Sequence, residues 1–235
     1  MLDQKRRRLQ VETKRLDGVI YDDLRVRIVS LHYRPGEMIS ENEISSEYGV
    51  SRTPVSRAFV RLAHEGLIDI QPQRGAQVSF LSKQNVYEAQ NVRECLEISA
   101  FSEVAANWNS DDGRYKDADK KIKKLIEAQK KVIELNDYIS FTKLDEDYHS
   151  TILQLAGNMT LFRVVEEMRA TLNRVRYIEL QEAHHGPPAI VHHEEIWDAI
   201  CQNNVAHTQE KLRLHLRMLE PLRETLFEKH RDLFV

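Results

Sequence analysis

Residues 40–64 read SENEISSEYGVSRTPVSRAFVRLAH, and the fold turns on this stretch. Ser40 followed three residues later by Glu43 is a capping box. It opens a short helix carrying Ile44 and Tyr48 on one side. Gly49 is placed to end that helix in the left-handed conformation. Ser51 is placed to cap a second helix, with Pro54 in its first turn, where a missing N–H does no harm. Val55, Phe59 and Leu62 form the apolar stripe of this second helix. Helix, Gly-containing turn and helix predict a helix-turn-helix.

Upstream, Leu16, Ile20, Leu24, Ile28 and Leu31 recur at spacings of four, four, four and three, one face of an amphipathic helix. It ends before Arg34-Pro35-Gly36, because the residue before Pro avoids the α region. Downstream, Ile68 and Ile70 alternate with polar residues, Pro72-Gln73-Arg74-Gly75 turns, and Ala76, Val78 and Phe80 alternate again. That is a hairpin, and a helix-turn-helix followed by a hairpin is a winged helix. Ser82 is placed to cap the next helix, which sets the boundary. Residues 1–82 are read as a winged helix-turn-helix domain with a basic N-terminal arm, and 83–235 as an all-helical domain. In the second part Val86, Val92, Leu96, Ala100, Val104 and Trp108 predict a long helix, broken at 109–113. Helical patterns resume over 114–134, 138–156, 160–183, 188–202 and 205–230, giving a bundle of about six helices. The expected fold class is therefore mainly α, a winged helix-turn-helix joined to an all-α bundle.

Composition agrees. A chain of 235 residues suits two domains. With 30% charged and 41% apolar residues it can bury a core and is not disordered. Eight Gly and six Pro are few for a β-sandwich or a Gly-rich nucleotide fold. Two cysteines, Cys95 and Cys201, exclude a disulfide framework and a four-thiolate zinc site; they read as small buried side chains in a reducing compartment. The N-terminal MLDQKRRRLQVETK is basic, but no apolar run follows, so it is not a secretory signal. No stretch reaches 18 apolar residues, so no membrane span is expected, and the expected location is cytoplasmic. The net charge of −3 divides unevenly. Residues 1–82 hold 13 Lys+Arg against 11 Asp+Glu, and 83–235 hold 21 against 26. The first part can approach a polyanion while the second does something else.

Thr53, Ser56, Arg57, Val60 and Arg61 lie away from the apolar stripe of the second helix. From Arg52 to His64 there are three Arg and no acid. Phosphates need cations and base edges need forked donors, and Arg supplies both. The helix N-terminus adds partial positive charge, and Arg74 at the hairpin tip is placed to reach a groove.

Residues 17–80 resemble the N-terminal domain of the GntR family of bacterial transcription regulators. LHYRPGEMISENEI at 31–44, YGVSRTPVSRAFVRLAHEGLI at 48–68 and QRGAQV at 73–78 carry the resemblance. It implies a winged helix, a homodimer and a palindromic double-stranded DNA operator. Ser51, Arg52, Thr53 and Pro54 match the start of the family's recognition helix, and Arg74 and Gly75 its wing tip. One departure stands out. The family usually reads TPVREAL, whereas this chain has Ser56 and Arg57, which moves an Arg by one residue, about 100° around the helix. Operator sequence therefore does not carry over.

In the second domain Asp145 and His149, four apart, share a helix face. His193 and His215 lie on later helices. Three imidazoles and a carboxylate suit Zn, Ni or Mn. Spacing alone does not single these out among ten His, and His184, His185, His192 and His193 form a competing local cluster. Residues 86–220, however, resemble the FCD-type effector domain of the FadR subfamily, through Arg93–Glu97, Asp145–His149 followed by LAGN at 155–158, His193 before Ile196, and His215-Leu216. The resemblance implies a divalent metal on Asp145, His149, His193 and His215, and a small carboxylate effector. His192 stands where relatives often have Glu, which leaves open whether it or His193 points inward. An anionic effector needs cations, and Arg93 is the best matched, with Arg174 and Arg176 behind it; the plain alternative for Arg93 is a helical pair with Glu97.

These features predict a ligand-responsive transcriptional repressor and no enzyme. The alternative is a metal-dependent hydrolase in the helical domain, with the same His/Asp set activating water. Against it, His193-Glu194-Glu195-Ile196-Trp197 begins like H-E-x-x-H but ends in Trp. G-x-S-x-G and Walker A motifs are absent. A third possibility is an unliganded helical domain that serves only to join two winged helices.

Overall fold

In the computed structural model the described residues are 2–71, 74–183 and 186–235; for residues 2–15 and 183 only the backbone is described. The chain divides into two compact units. One is Met1–Ser82 together with Asp232–Val235, and the other is Lys83–Arg231.

The first unit opens with α1 (Leu2–Val29), whose first half carries the basic arm. Then follow β1 (Met38–Ile39), α2 (Glu41–Tyr48), α3 (Arg52–His64), β2 (Ile68–Gln71) and β3 (Gly75–Val78). Pro72 and Gln73, expected in the hairpin turn, lie outside the described residues. The strands form one antiparallel sheet in the order β1-β3-β2. The short β1 was not expected from the sequence. Ser40 caps α2 by accepting from the N–H of Asn42, two residues on. Gly49 closes it at φ 62°. Ser51 sits at the N-cap of α3 but makes no side-chain capping bond. Ile20, Leu24 and Ile28 of α1 close over Val55, Phe59 and Leu62 of α3, with Ile68, Ala76 and Val78 of the sheet beneath. Each such fully buried aliphatic or aromatic side chain contributes about 1.5–3 kcal/mol. This packing fixes α3 by its apolar stripe and leaves its opposite face free. Ile70 and Phe80, expected to alternate inward, are 48% and 42% exposed. Phe80 instead lies across Gly36, whose φ of 84° and close approach to the ring exclude a side chain. The last residues return to this unit, with the Leu81 N–H donating to the Leu233 carbonyl and the Val235 N–H to that of Leu81.

The second unit comprises α4 (Lys83–Ala106), α5 (Gly113–Glu134), α6 (Tyr138–Leu155), α7 (Met159–Ala183), α8 (Gly186–Cys201), α9 (Val205–Arg217) and α10 (Glu220–Lys229). That is one helix more than the sequence reading. The pattern over 205–230 is two helices, separated at Met218-Leu219, with Pro221 in the first turn of the second. α8 begins at Gly186, two residues before the expected 188, and takes Pro187 and Pro188 into its first turn. The core gathers Phe101, Val104, Ile122, Phe141, Tyr148, Ile152, Trp197 and Leu212 from successive helices. Cys95, expected buried, is exposed, and Cys201 is half-buried. Among the described residues no helix is long and apolar enough to cross a membrane.

Candidate metal centre and nucleic-acid interface

Three helices of the second unit deliver Asp145, His149, His193 and His215 to one point. All four are buried, and one ligand atom from each lies within 4.8 Å of the others. The i, i+4 spacing on α6 brings Asp145 and His149 together, α8 adds His193, and α9 adds His215. The Nε2 atoms of His149 and His215 are 3.1 Å apart. Two nitrogens each bound to one ion at 2.0–2.1 Å stand about 3.0–3.4 Å apart. Asp145 Oδ1 lies 3.3 Å from His193 Nε2 and 3.9 Å from Nε2 of the other two. His193 Nε2 and Asp145 Oδ1 have no hydrogen-bond partner. Buried polar atoms left unpaired are costly, and their convergence fits a missing cation.

The surrounding residues hold the rings in the required tautomer. Glu97 on α4 accepts a hydrogen bond from His149 Nδ1 at 2.5 Å. A carboxylate can only accept, so the proton sits on Nδ1 and the Nε2 lone pair faces the centre. Gln129 on α5 donates its amide to the Leu144 carbonyl, which turns its oxygen to accept from His193 Nδ1 at 2.8 Å. Tyr148 stacks on the His193 ring and donates its hydroxyl to the His193 carbonyl. Such partners orient metal-binding histidines and raise their basicity. His215 Nδ1 has no protein partner. His193 is therefore the inward residue of its pair; His192 is half-buried, with its ring 6.0 Å from that of His215.

Electrostatics favour the charge states a metal needs. Burial, opposed by Glu97, lowers the His149 pKa to about 4. Burial together with the His193 and His149 rings also pushes His215 well down. Both imidazoles are thus neutral and free to coordinate. Asp145 is held well below the usual carboxylate range. Burial opposes this but is outweighed by Arg176, 2.8 Å away, and by the histidines. Glu97 is likewise depressed, with Arg93 at 2.7 Å, His149 and Arg169 at 3.2 Å outweighing its burial.

The effector candidates are placed unevenly. Arg93 makes its helical pair with Glu97, yet its Nη2 remains unpartnered in the interior. It lines a narrow cleft beside His215 together with Arg176. Arg174 is buried but is not among the residues lining that cleft. Gln129, Arg169 and Arg223 were not singled out from the sequence, and Glu97 was named only as the helical partner of Arg93, although all four contribute to this polar interior.

In the first unit, Ser51, Arg52, Thr53, Arg57 and Arg61 are exposed on α3, Ser56 is half-buried, and Arg74 and Gly75 stand at the start of β3. Pro54, expected among the DNA-contacting residues, is buried in the first turn of α3. It lies two residues into the helix and offers little surface to DNA. Arg52 pairs with Glu41 at 3.0 Å, and the Arg61 guanidinium lies 3.6 Å from the centroid of the Tyr21 ring. Gly75 has a φ of 101°, and a side chain there would meet the Ile39 carbonyl.

Residues 16–78 match the model of the bacterial regulatory proteins of the gntR family, and residues 88–218 match that of the FCD domain. The chain belongs to the GntR family of transcriptional regulators. It is a DNA-binding regulator rather than an enzyme, which disposes of the hydrolase alternative. Among its relatives is an HTH-type transcriptional regulator in an unstable DNA locus of Streptomyces ambofaciens, 31% identical over 84% of this chain and 80% of that one. The HTH-type transcriptional repressor RspR of Escherichia coli is 29% identical over 94% of this chain and 95% of its own. Among solved structures, a GntR regulator from Rhodococcus sp. RHA1 superposes with a TM-score of 0.72 at 20% identity, over 92% of this chain and 98% of that one. McbR/YncC of E. coli gives 0.70 at 17% identity, over 90% and 98%. These structural likenesses establish the fold.

Proposed function

We propose that this GntR regulator is a cytoplasmic homodimeric repressor that releases a palindromic operator when a small carboxylate enters its helical unit. The observation that carries the reading is the buried convergence of Asp145, His149, His193 and His215 with unpaired atoms facing one another. Those four residues would hold a divalent transition metal, Zn, Ni or Mn. Such an ion supplies a Lewis-acid anchor for a carboxylate oxygen. Glu97 and Gln129 hold the imidazoles in the coordinating tautomer. Arg93 and Arg176, with Arg174 nearby on α7, bring positive charge to the anion from inside a water-poor core, where each charge acts at low effective dielectric. In the other unit the exposed face of α3 is the reading head. Arg52, Arg57 and Arg61 supply forked donors, Ser51, Thr53 and Ser56 short hydroxyl donors, and Arg74 beside Gly75 the wing's cation. The name of the E. coli relative RspR supports repression.

Ligand binding regulates DNA only if the effector prefers one arrangement of the dimer over another. Fluorescence anisotropy of the protein on its own upstream DNA, at fixed salt and against a scrambled duplex, tests the reading. The expected specificity ratio is on the order of 10³ or more. Carboxylates added to the zinc-loaded complex are expected to lower the anisotropy. A ratio near one, or release that is unchanged in Asp145→Ala, defeats it.

A further inference from the structure

The cleft beside His215 holds more than the cations expected of an anion site. It is bounded by Gln90 and Arg93 of α4, Arg176 and Glu179 of α7, His215 of α9 and Arg223 of α10. Arg223 is 2% exposed and Glu179 fully buried, and the two are paired at 2.9 Å through Arg223 Nε. Each keeps a buried atom without a partner, Nη1 of Arg223 and Oε2 of Glu179. Arg93 Nη2 and His215 Nδ1 are also unpartnered. The wall therefore offers unpaired guanidinium donors and an unpaired carboxylate acceptor together. Arg223 lies beyond residue 218, where the FCD match ends, so α10 brings it to the cleft from outside the matched domain.

We propose that Glu179 and Arg223 form a second subsite for the effector, specific for an acid that carries hydroxyl groups away from its carboxylate. This rests on the carboxylate-and-metal reading above. A hydroxyl accepts from Arg223 Nη1 or Arg93 Nη2 and donates to Glu179 Oε2, pairing both kinds of orphan. An unsubstituted acyl chain leaves them unpaired, at the cost that lets polar sites reject analogues lacking a hydroxyl. A second carboxylate satisfies the arginines but sets its lone pairs against Glu179. The cleft is narrow, about 10 Å³ in the described state, room for one water. A ligand therefore requires the cleft to widen.

Isothermal titration of the full-length zinc-loaded protein tests this with six-carbon acids. Gluconate and galactonate carry both the α-hydroxyl and distal hydroxyls. 2-Hydroxyhexanoate keeps the α-hydroxyl, and hence the same chelating group, without the distal ones. Hexanedioate replaces them with a second carboxylate. At least one aldonate is expected to bind ten-fold or more tighter than 2-hydroxyhexanoate. In Glu179→Met/Arg223→Met, which removes both members of the buried pair and so strands neither charge, that preference is expected to fall below two-fold. Zinc stoichiometry and 2-hydroxyhexanoate affinity should be retained. Equal affinities in the parent protein, a preference for hexanedioate, or a preference that survives the double substitution overturns the subsite and leaves the carboxylate reading standing. If the protein binds zinc but none of the acids, the carboxylate reading itself falls and the subsite with it.

Discussion

Replacing Glu97 with Gln should weaken zinc binding at the proposed centre without removing any of its four candidate ligands. The side chain is fully buried and serves three partners. It accepts from His149 Nδ1 at 2.5 Å and neutralises Arg93 at 2.7 Å and Arg169 at 3.2 Å. Glutamine keeps the size and one acceptor oxygen, so His149 can retain its hydrogen bond. What disappears is the negative charge that sharpens His149 as a ligand and balances two buried guanidiniums. Loss of an outer partner of a metal-bound histidine typically weakens metal binding 10–100-fold, about 1.4–2.7 kcal/mol. Stranding a buried charge costs about 3–5 kcal/mol of stability. For a helical unit of this size, that lowers the melting temperature by roughly 6–20 °C. The assay is paired. A competitive zinc titration against a chromophoric chelator gives the affinity, and calorimetric melts of the metal-free protein give the stability. A zinc affinity within two-fold of the parent, with an unchanged metal-free melting temperature, refutes the role assigned to Glu97.

Arg52→Ala should weaken specific operator binding by about 1–3 kcal/mol, read by footprinting titration, while binding to scrambled DNA changes far less. The Arg52–Glu41 pair is exposed on the Arg52 side, so little folding stability should be lost with it. Gly75→Ala should destabilise the first unit by more than about 1 kcal/mol, because the φ of 101° disfavours a side chain and its Cβ would press on the Ile39 carbonyl; thermal melts and operator affinity should fall together. His193→Ala should abolish stoichiometric zinc, whereas His192→Ala should retain it, measured by metal analysis after gel filtration; zinc retained in His193→Ala and lost in His192→Ala would overturn the inward orientation of His193.

The winged helix was legible because each of its signals is local. Ser40, Gly49, Pro54 and the Val55-Phe59-Leu62 stripe act within a few residues, and the structure uses them nearly as read. The misses have equally local causes. Two residues of β1 are too few to show a period, and they exist as a strand only because β3 pairs with them. The 205–230 pattern continues in phase through Met218-Leu219, so periodicity ran across the break. The four candidate ligands could be named through the family resemblance, but the residues that support them could not. Glu97 meets His149 across 52 residues and Arg169 across 72, and no spacing rule spans such gaps.

A signal for that support was nevertheless present in α4. Val86, Gln90, Arg93, Glu97, Ala100 and Val104 follow one another at spacings of four, three, four, three and four. All six are buried. Aligning the helix instead on Val92 and Leu96 selects a face on which Val92 is 40% exposed. The same design recurs in α7, where Val165, Arg169, Leu172, Arg176 and Leu180 form one buried row. On a surface helix, polar residues segregate from the apolar stripe. Here three polar residues occupy the middle of the α4 stripe and two arginines interrupt that of α7. Burying them unpaired would cost several kcal/mol each, so a stripe of this kind requires a partner network or a ligand at its centre. Glu97, Arg93, Arg169 and Arg176 supply the network, and atoms left over face the Asp145–His149–His193–His215 cluster and the cleft beside it. An apolar row interrupted by charge, with apolar residues at both ends, marks where a helical bundle has exchanged core for a buried polar network.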